Sequence, residues 1–103
     1  MQLILLDHRA TIDQVGFIPS FLDEDDPRPA AQQLDANYQH GGGWRPQKGF
    51  TYNPKTGALH YPGDPPFTPI ALLVLRKELI LIYQYGYVAV VQPDGSFEAC
   101  RMD

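Results

Sequence analysis

The chain has 103 residues, of which 44% are hydrophobic, and its formal net charge is −4. This length predicts a single domain over residues 1–103, and the apolar fraction excludes a disordered chain. The acidic balance disfavours duplex DNA as a partner, because that affinity depends on cations that neutralise phosphates.

The first residues predict a short strand. Residues 3–6 are all apolar, which is typical of a strand inside a sheet, so we expect it there rather than at an edge. No basic residue precedes this run, and no stretch approaches the about 20 apolar residues of a membrane span, so neither a secretory signal nor a membrane segment is predicted. Cys100 is the only cysteine, which excludes an internal disulfide. We therefore expect a cytoplasmic protein.

Residues 11–22 predict irregular packing on the core. Thr11 is a candidate cap for a brief helical turn that Gly16 would end. An apolar cluster follows around Pro19.

Residues 30–40 predict the main helix. Asp26 is its candidate cap, the prolines before it suit a first turn, and Gly41 suits the left-handed position after its end. Its apolar stripe is narrow and consists of Ala30, Leu34 and Tyr38, with Ala31 beside it. Such a helix covers one face of a sheet and is not a core by itself. The acidic residues 23–26 before it are interpreted as a solvated cap rather than a cation site.

Residues 50–61 predict a β-hairpin. Asn53 and Pro54 would start the turn, and Gly57 would take a position with positive φ. Residues 62–69 form an extended connection, and its P-x-x-P string is interpreted as part of that connection rather than as a ligand motif.

Residues 70–102 are the most apolar part of the chain and predict the core strands. The sequence Gln92-Pro93-Asp94-Gly95 predicts a tight turn, and Gly86 predicts another turn or a bulge. Arg76 and Lys77 are weak turn formers, so a helix over residues 71–83 is the competing interpretation. Abundant Val, Ile and Tyr favour strands. The expected buried residues are Leu79, Ile80, Leu81, Ile82, Val88, Val90 and Val91.

These elements predict an α+β fold: a mainly antiparallel sheet of about five to seven strands with one main helix packed on one face. Since both 71–75 and 79–83 are apolar at every position, both faces of their strands should be out of water. One narrow helix cannot cover both faces, so we expect a homodimer. The alternative is a monomer in which other segments wrap the second face.

The catalytic motifs are incomplete. His40-Gly41-Gly42-Gly43 copies the oxyanion-hole string of lipases, but the nucleophile motif that this chemistry needs is missing. The three histidines have no local metal-ligand spacing, and Cys100 has no identifiable base. No catalytic residue, metal ligand or cofactor is predicted.

Residues 41–63 are the best candidate for a site. They carry three cations and no acid, together with four aromatic residues. Aromatics interleaved with Arg and Lys can hold anions, stack bases or form a protein-binding hot spot. The candidate ligand-binding residues are Trp44, Arg45, Lys48, Tyr52 and His60. The competing interpretation is that the aromatics belong to the core.

The function favoured by these patterns is non-enzymatic binding through protein–protein contacts, with another protein or a second copy as partner. The alternative is a domain, with an enzyme included among the options, that binds a small anionic molecule or nucleotide through residues 41–63. Single-stranded nucleic acid is a third hypothesis, which the net charge disfavours.

Overall fold

A computed structural model describes residues 2–10, 22–38 and 44–102 of the chain, without the side chains of residues 37, 38, 44, 45 and 102. In chain order the elements are β1 (Gln2–Leu5), α1 (Ala30–Tyr38), β2 (Trp44–Pro46), β3 (Thr51–Tyr52), β4 (Leu59–His60), β5 (Ala71–Leu75), β6 (Glu78–Ile82), β7 (Tyr87–Val91) and β8 (Phe97–Met102). Six strands form one sheet in the order β1-β5-β6-β7-β8-β2, and β3 and β4 form a separate hairpin. All pairs are antiparallel. The predicted α+β fold is confirmed.

The large sheet has buried residues on both of its faces. One face, the helix face, packs against α1, and its buried members include Ala71, Leu73, Leu75, Ile80, Ile82, Val88, Val90 and Cys100. The opposite face, the hairpin face, packs against Leu59 of β4 through Leu81, Tyr83, Ala89, Val91 and Ala99. Alternation along each strand sends successive side chains to opposite faces, and this explains why unbroken apolar runs suit β5, β6 and β7.

One of the seven predicted core residues is wrong. Leu79 is 36% exposed, whereas the other six are at most 8% exposed. Leu79 lies opposite Val74 and Val91 on the hairpin face, outside the cluster that contacts the hairpin. Partial cover of that face, rather than the strand pattern, sets its exposure.

The predicted position of β1 inside the sheet is also wrong. It pairs only with β5 and lies at one edge. Ile4, Leu5 and Leu6 are 38%, 42% and 49% exposed. Burial on both faces of the sheet therefore does not explain why these residues are apolar.

The helix alternative for residues 71–83 is wrong, because β5 and β6 are strands joined by Arg76 and Lys77. Arg76 adopts a left-handed φ of 54°. Its guanidinium donates to the carbonyls of Glu24 at 3.1 Å, Asp26 at 2.8 Å and Arg28 at 2.7 Å. A tertiary role of the side chain thus accounts for a turn that local preferences do not indicate.

The predicted cap of α1 is wrong as well. Asp26 accepts hydrogen bonds from the Arg28 backbone at 3.0 Å and from its guanidinium at 2.7 Å, which lowers the pKa of Asp26. The N–H of Ala30, the first residue of α1, donates to the Glu78 carboxylate at 3.0 Å. Glu78 is only 8% exposed and also accepts a hydrogen bond from the Gln92 side chain at 2.9 Å. A carboxylate from the sheet therefore satisfies a donor that helix starts leave unpaired.

The predicted turns are confirmed where they can be seen. Gly57, Gly86 and Gly95 have φ values of 76°, 80° and 90°. The predicted turn at Thr11 to Gly16, the Pro19 cluster and the Gly41 stop lie outside the described residues. Among the residues described, no helix is long and apolar enough to cross a membrane.

Candidate functional site

The hairpin of β3 and β4 is fastened to the hairpin face by specific contacts. The Tyr83 hydroxyl donates to the Gly57 carbonyl at 2.5 Å, and burial raises the pKa of Tyr83. Leu59 is fully buried and exchanges backbone hydrogen bonds with Phe67, at 3.0 and 2.8 Å. The extended connection predicted for residues 62–69 thus adds a third short pairing to the hairpin.

This arrangement brings together a row of rings, here called the aromatic surface, from four separate parts of the chain. Its members are Phe50, Tyr61, Phe67, Tyr85 and Tyr87. Phe67 stacks on Tyr87 with ring centroids 5.1 Å apart. Phe50 lies 5.3 Å from Tyr61 and 5.5 Å from Tyr87, and Tyr85 lies 6.4 Å from Phe67. These distances are within the range of favourable aromatic pairs.

Tyr85 stands at the exposed end of this row. It is 73% exposed, and its backbone is left-handed, with φ 64° and ψ 23°. Such a conformation costs about 1 kcal/mol or more for a bulky residue and is often found at functional sites. The turn at Gln84–Gly86 therefore holds a large amphipathic ring in water at a conformational cost.

Two further features shape the surface. The guanidinium of Arg101 lies over the Tyr87 ring, 5.5 Å from its centroid. A Cβ at Gly49 would lie 2.9 Å from the Tyr61 ring, so the loop before β3 passes close to this tyrosine only because residue 49 has no side chain.

A polar groove borders the aromatic surface and shares Phe67 with it. Residues 6–9, residues 66–70 and Gln84 line this groove of about 580 Å³. Asp7 and Arg9 form an ion pair of 3.1 Å there, and the Arg9 hydrogen bond lowers the pKa of Asp7. This exposed pair gives the groove one group of each charge.

Of the five residues predicted as a site, Tyr52 and His60 line one cavity of about 600 Å³. Tyr52 is half-buried, with its ring 5.7 Å from that of Phe97, and burial raises its pKa. His60 is exposed and lies opposite Thr51 in the hairpin. Lys48 is exposed.

The two remaining predicted residues, Trp44 and Arg45, lie in β2, which is the edge strand of the large sheet opposite to β1. Trp44 is paired in register with Met102, and Arg45 with Arg101; the side chains of Trp44 and Arg45 are outside the described part. The competing interpretation, that the aromatics of residues 41–63 are core, holds in part: Phe50 and Tyr52 pack against the hairpin-face cluster, while Tyr61 is 43% exposed.

The sequence pattern missed Phe67, Tyr85 and Tyr87. The available signal was the string Tyr83-Gln84-Tyr85-Gly86-Tyr87, in which a glycine next to an aromatic indicates a turn that can expose the ring. No group of three or more His, Cys, Asp or Glu residues within residues 2–10, 22–38 and 44–102 could hold a metal ion. The His40 to Gly43 string lies outside the described residues.

No protein-family model, curated protein or solved structure matches this chain.

Proposed function

We propose that this chain is a small non-enzymatic binding protein that contacts a protein partner through the aromatic surface. The observation that carries the proposal is Tyr85, which is 73% exposed and held in a left-handed conformation against Phe67. Tyrosine and arginine are enriched at the energetic centres of protein interfaces, where rigid rings bury large areas at a low entropy cost. Tyr61, Tyr85 and Arg101 have this chemistry, and the underlying rings hold Tyr61 and Tyr85 in place.

The packing of the rings favours a protein over single-stranded nucleic acid. A base-stacking platform needs open ring faces. Here Phe67 and Tyr87 stack on each other, and Arg101 lies over the Tyr87 ring. The net charge of −4 also opposes a polyphosphate partner.

A small anionic ligand is the second candidate partner, and the register of β2 and β8 supports it. Arg45 lies directly opposite Arg101, so two cations start from neighbouring backbone positions beside the aromatic surface, and Lys48 follows in the next loop. Such a cluster could bind phosphate or carboxylate groups.

The test places a photo-reactive amino acid at position 61 and identifies covalently captured proteins in the source cells. The affinity of the captured protein is then measured for the wild-type chain and for the Tyr85→Asn variant. Asn is chosen because it tolerates a left-handed backbone but removes the ring. We expect a loss of roughly 30-fold or more, the level of an interface hot spot. The control is Asp35→Asn, at an exposed position of α1, which should leave the affinity unchanged.

Equal affinities for Tyr85→Asn and Asp35→Asn would contradict the proposal. The anion alternative is measured in parallel, by Trp44 fluorescence with ATP and with inorganic phosphate at low salt. A response that Arg101→Ala abolishes, with no captured protein, would replace the protein partner by a small ligand.

A further inference from the structure

The row of rings in the aromatic surface has an exposed tyrosine at each end. Tyr61 is 43% exposed, and its ring is tilted by 57° against that of Phe50. Tyr85 is 73% exposed, and its ring is tilted by 58° against that of Phe67. Both phenylalanines are half-buried. An exposed ring that is inclined to a more buried one leaves a wedge-shaped notch, with the exposed ring as its wall and the buried ring as its floor. The surface therefore has two notches, here called the Tyr61 notch and the Tyr85 notch.

The spacing of the two notches suits a polyproline II helix. Their floors, the rings of Phe50 and Phe67, have centroids 6.4 Å apart. A polyproline II helix rises by about 3.1 Å per residue, so residues two or three positions apart are separated by about 6–9 Å along its axis. Two proline rings of one such helix can therefore enter the two notches together. This mode of binding does not need the open ring faces on which nucleic-acid bases stack.

Hydrogen bonding distinguishes this kind of ligand from an α-helix and from a β-strand. Within residues 2–10, 22–38 and 44–102, no hydrogen bond engages the hydroxyl of Tyr61 or Tyr85, so each can donate to a carbonyl of a ligand. An α-helix has free carbonyls only at its end, and an added strand binds to the backbone of a sheet edge, whereas this surface consists of side chains. Every carbonyl of a polyproline II helix is free, because this helix has no internal hydrogen bonds.

We propose that the partner presents a proline-rich segment in the polyproline II conformation, flanked by a Lys or Arg, and that two of its prolines occupy the two notches. This inference rests on the proposed function, because it specifies the partner of the same surface. Charge complementarity accounts for the basic residue. Asp64 is exposed and lies in the turn that begins at Tyr61, whose carbonyl accepts the N–H of Asp64 at 3.1 Å. The lysine or arginine therefore lies at the end of the ligand that enters the Tyr61 notch.

The test uses the full chain and a fluorescently labelled decaproline peptide that ends in one lysine. The matched control peptide has the same length and lysine, with alternating Gly and Ser in place of the prolines. Fluorescence anisotropy should show that the proline peptide binds roughly tenfold or more tightly, because it is ordered before binding. Tyr85→Asn should weaken its binding by roughly 30-fold, and Tyr61→Phe, which removes only a hydroxyl, by roughly threefold or more. Asp35→Asn on α1 should leave the affinity unchanged.

Asp64→Asn tests the charge separately from the rings. At low salt it should weaken binding of the lysine peptide and leave binding of an uncharged decaproline unchanged. Circular dichroism checks that each variant is folded. Equal affinities for the proline and Gly-Ser peptides, or for the wild type and Tyr85→Asn, would overturn the inference. If a protein is captured through position 61 and depends on Tyr85, but the proline peptide does not bind, only the polyproline II partner is refuted. The absence of any captured protein counts instead against the proposed function.

Discussion

Glu78 offers the sharpest test of the packing described above. One of its oxygens accepts the N–H of Ala30 at 3.0 Å, and the other accepts the side-chain amide of Gln92 at 2.9 Å. Hydrogen bonds to a charged group contribute about 1.5–3 kcal/mol each, while a buried carboxylate loses part of this through its own desolvation. We therefore expect Glu78→Ala to lower the free energy of unfolding by about 2–4 kcal/mol. Glu78→Gln should cost about 1–2 kcal/mol, because its amide keeps one acceptor oxygen for Ala30.

Urea unfolding at neutral pH, followed by circular dichroism, measures these differences. For a small protein, a loss of about 2–4 kcal/mol moves the midpoint by roughly 1–2 M. The control is Glu98→Ala, because Glu98 is exposed on β8, and exposed substitutions usually stay within about 0.5 kcal/mol. Equal midpoints for Glu78→Ala and Glu98→Ala would refute the role of Glu78 as the cap of α1.

Three further outcomes follow from other contacts. Ile80→Ala should cost about 2–5 kcal/mol and Leu79→Ala clearly less, because only the first removes a fully buried side chain; similar urea midpoints would contradict the burial difference. Gly95→Val should cost about 1 kcal/mol or more, because φ is 90° there while no atom lies within 4 Å of the added Cβ, so the loss is conformational; an unchanged melting temperature would exclude this. Tyr83→Phe should cost about 1 kcal/mol at pH 7 through its hydrogen bond to Gly57. Burial raises the pKa of Tyr83, so the wild type, unlike Tyr83→Phe, should lose additional stability as the pH rises above about 10; parallel pH curves would argue against this.

Local chemistry was enough to favour strands in residues 70–102 and to predict the turn at residues 92–95, but not the turn at Arg76. Pro93, Asp94 and Gly95 can adopt few conformations other than a turn, and the apolar residues on both sides of it have no alternative to a sheet core. Whether a strand is covered depends on the other segments that pack on it or pair with it. For this reason the exposure of Leu79 and the edge position of β1 were mispredicted. The same unbroken apolar run fits a covered and an uncovered strand equally well.

The sequence indicated the kind of residue that forms the candidate site, but not the positions that supply these residues. The abundance of aromatics near Phe50 and Tyr61 was visible in the sequence, but their partners Phe67, Tyr85 and Tyr87 come from distant positions. A pattern within residues 41–63 could not contain them. The cap of α1 has the same origin, because Glu78 lies 48 positions beyond Ala30 and no local rule connects the two.

The turn at Arg76 has a consequence for redesign of this protein. Statistical preference at a left-handed position favours glycine, so a procedure that optimises each residue locally would replace Arg76. The replacement would relax the backbone of the turn, but it would also remove the guanidinium that accounts for three hydrogen bonds to the carbonyls of Glu24, Asp26 and Arg28. The two effects have opposite signs, so a near-neutral result for Arg76→Gly would reflect compensation rather than tolerance. Arg76→Asn, which also tolerates the left-handed region, combined with hydrogen exchange of residues 23–28, would separate them.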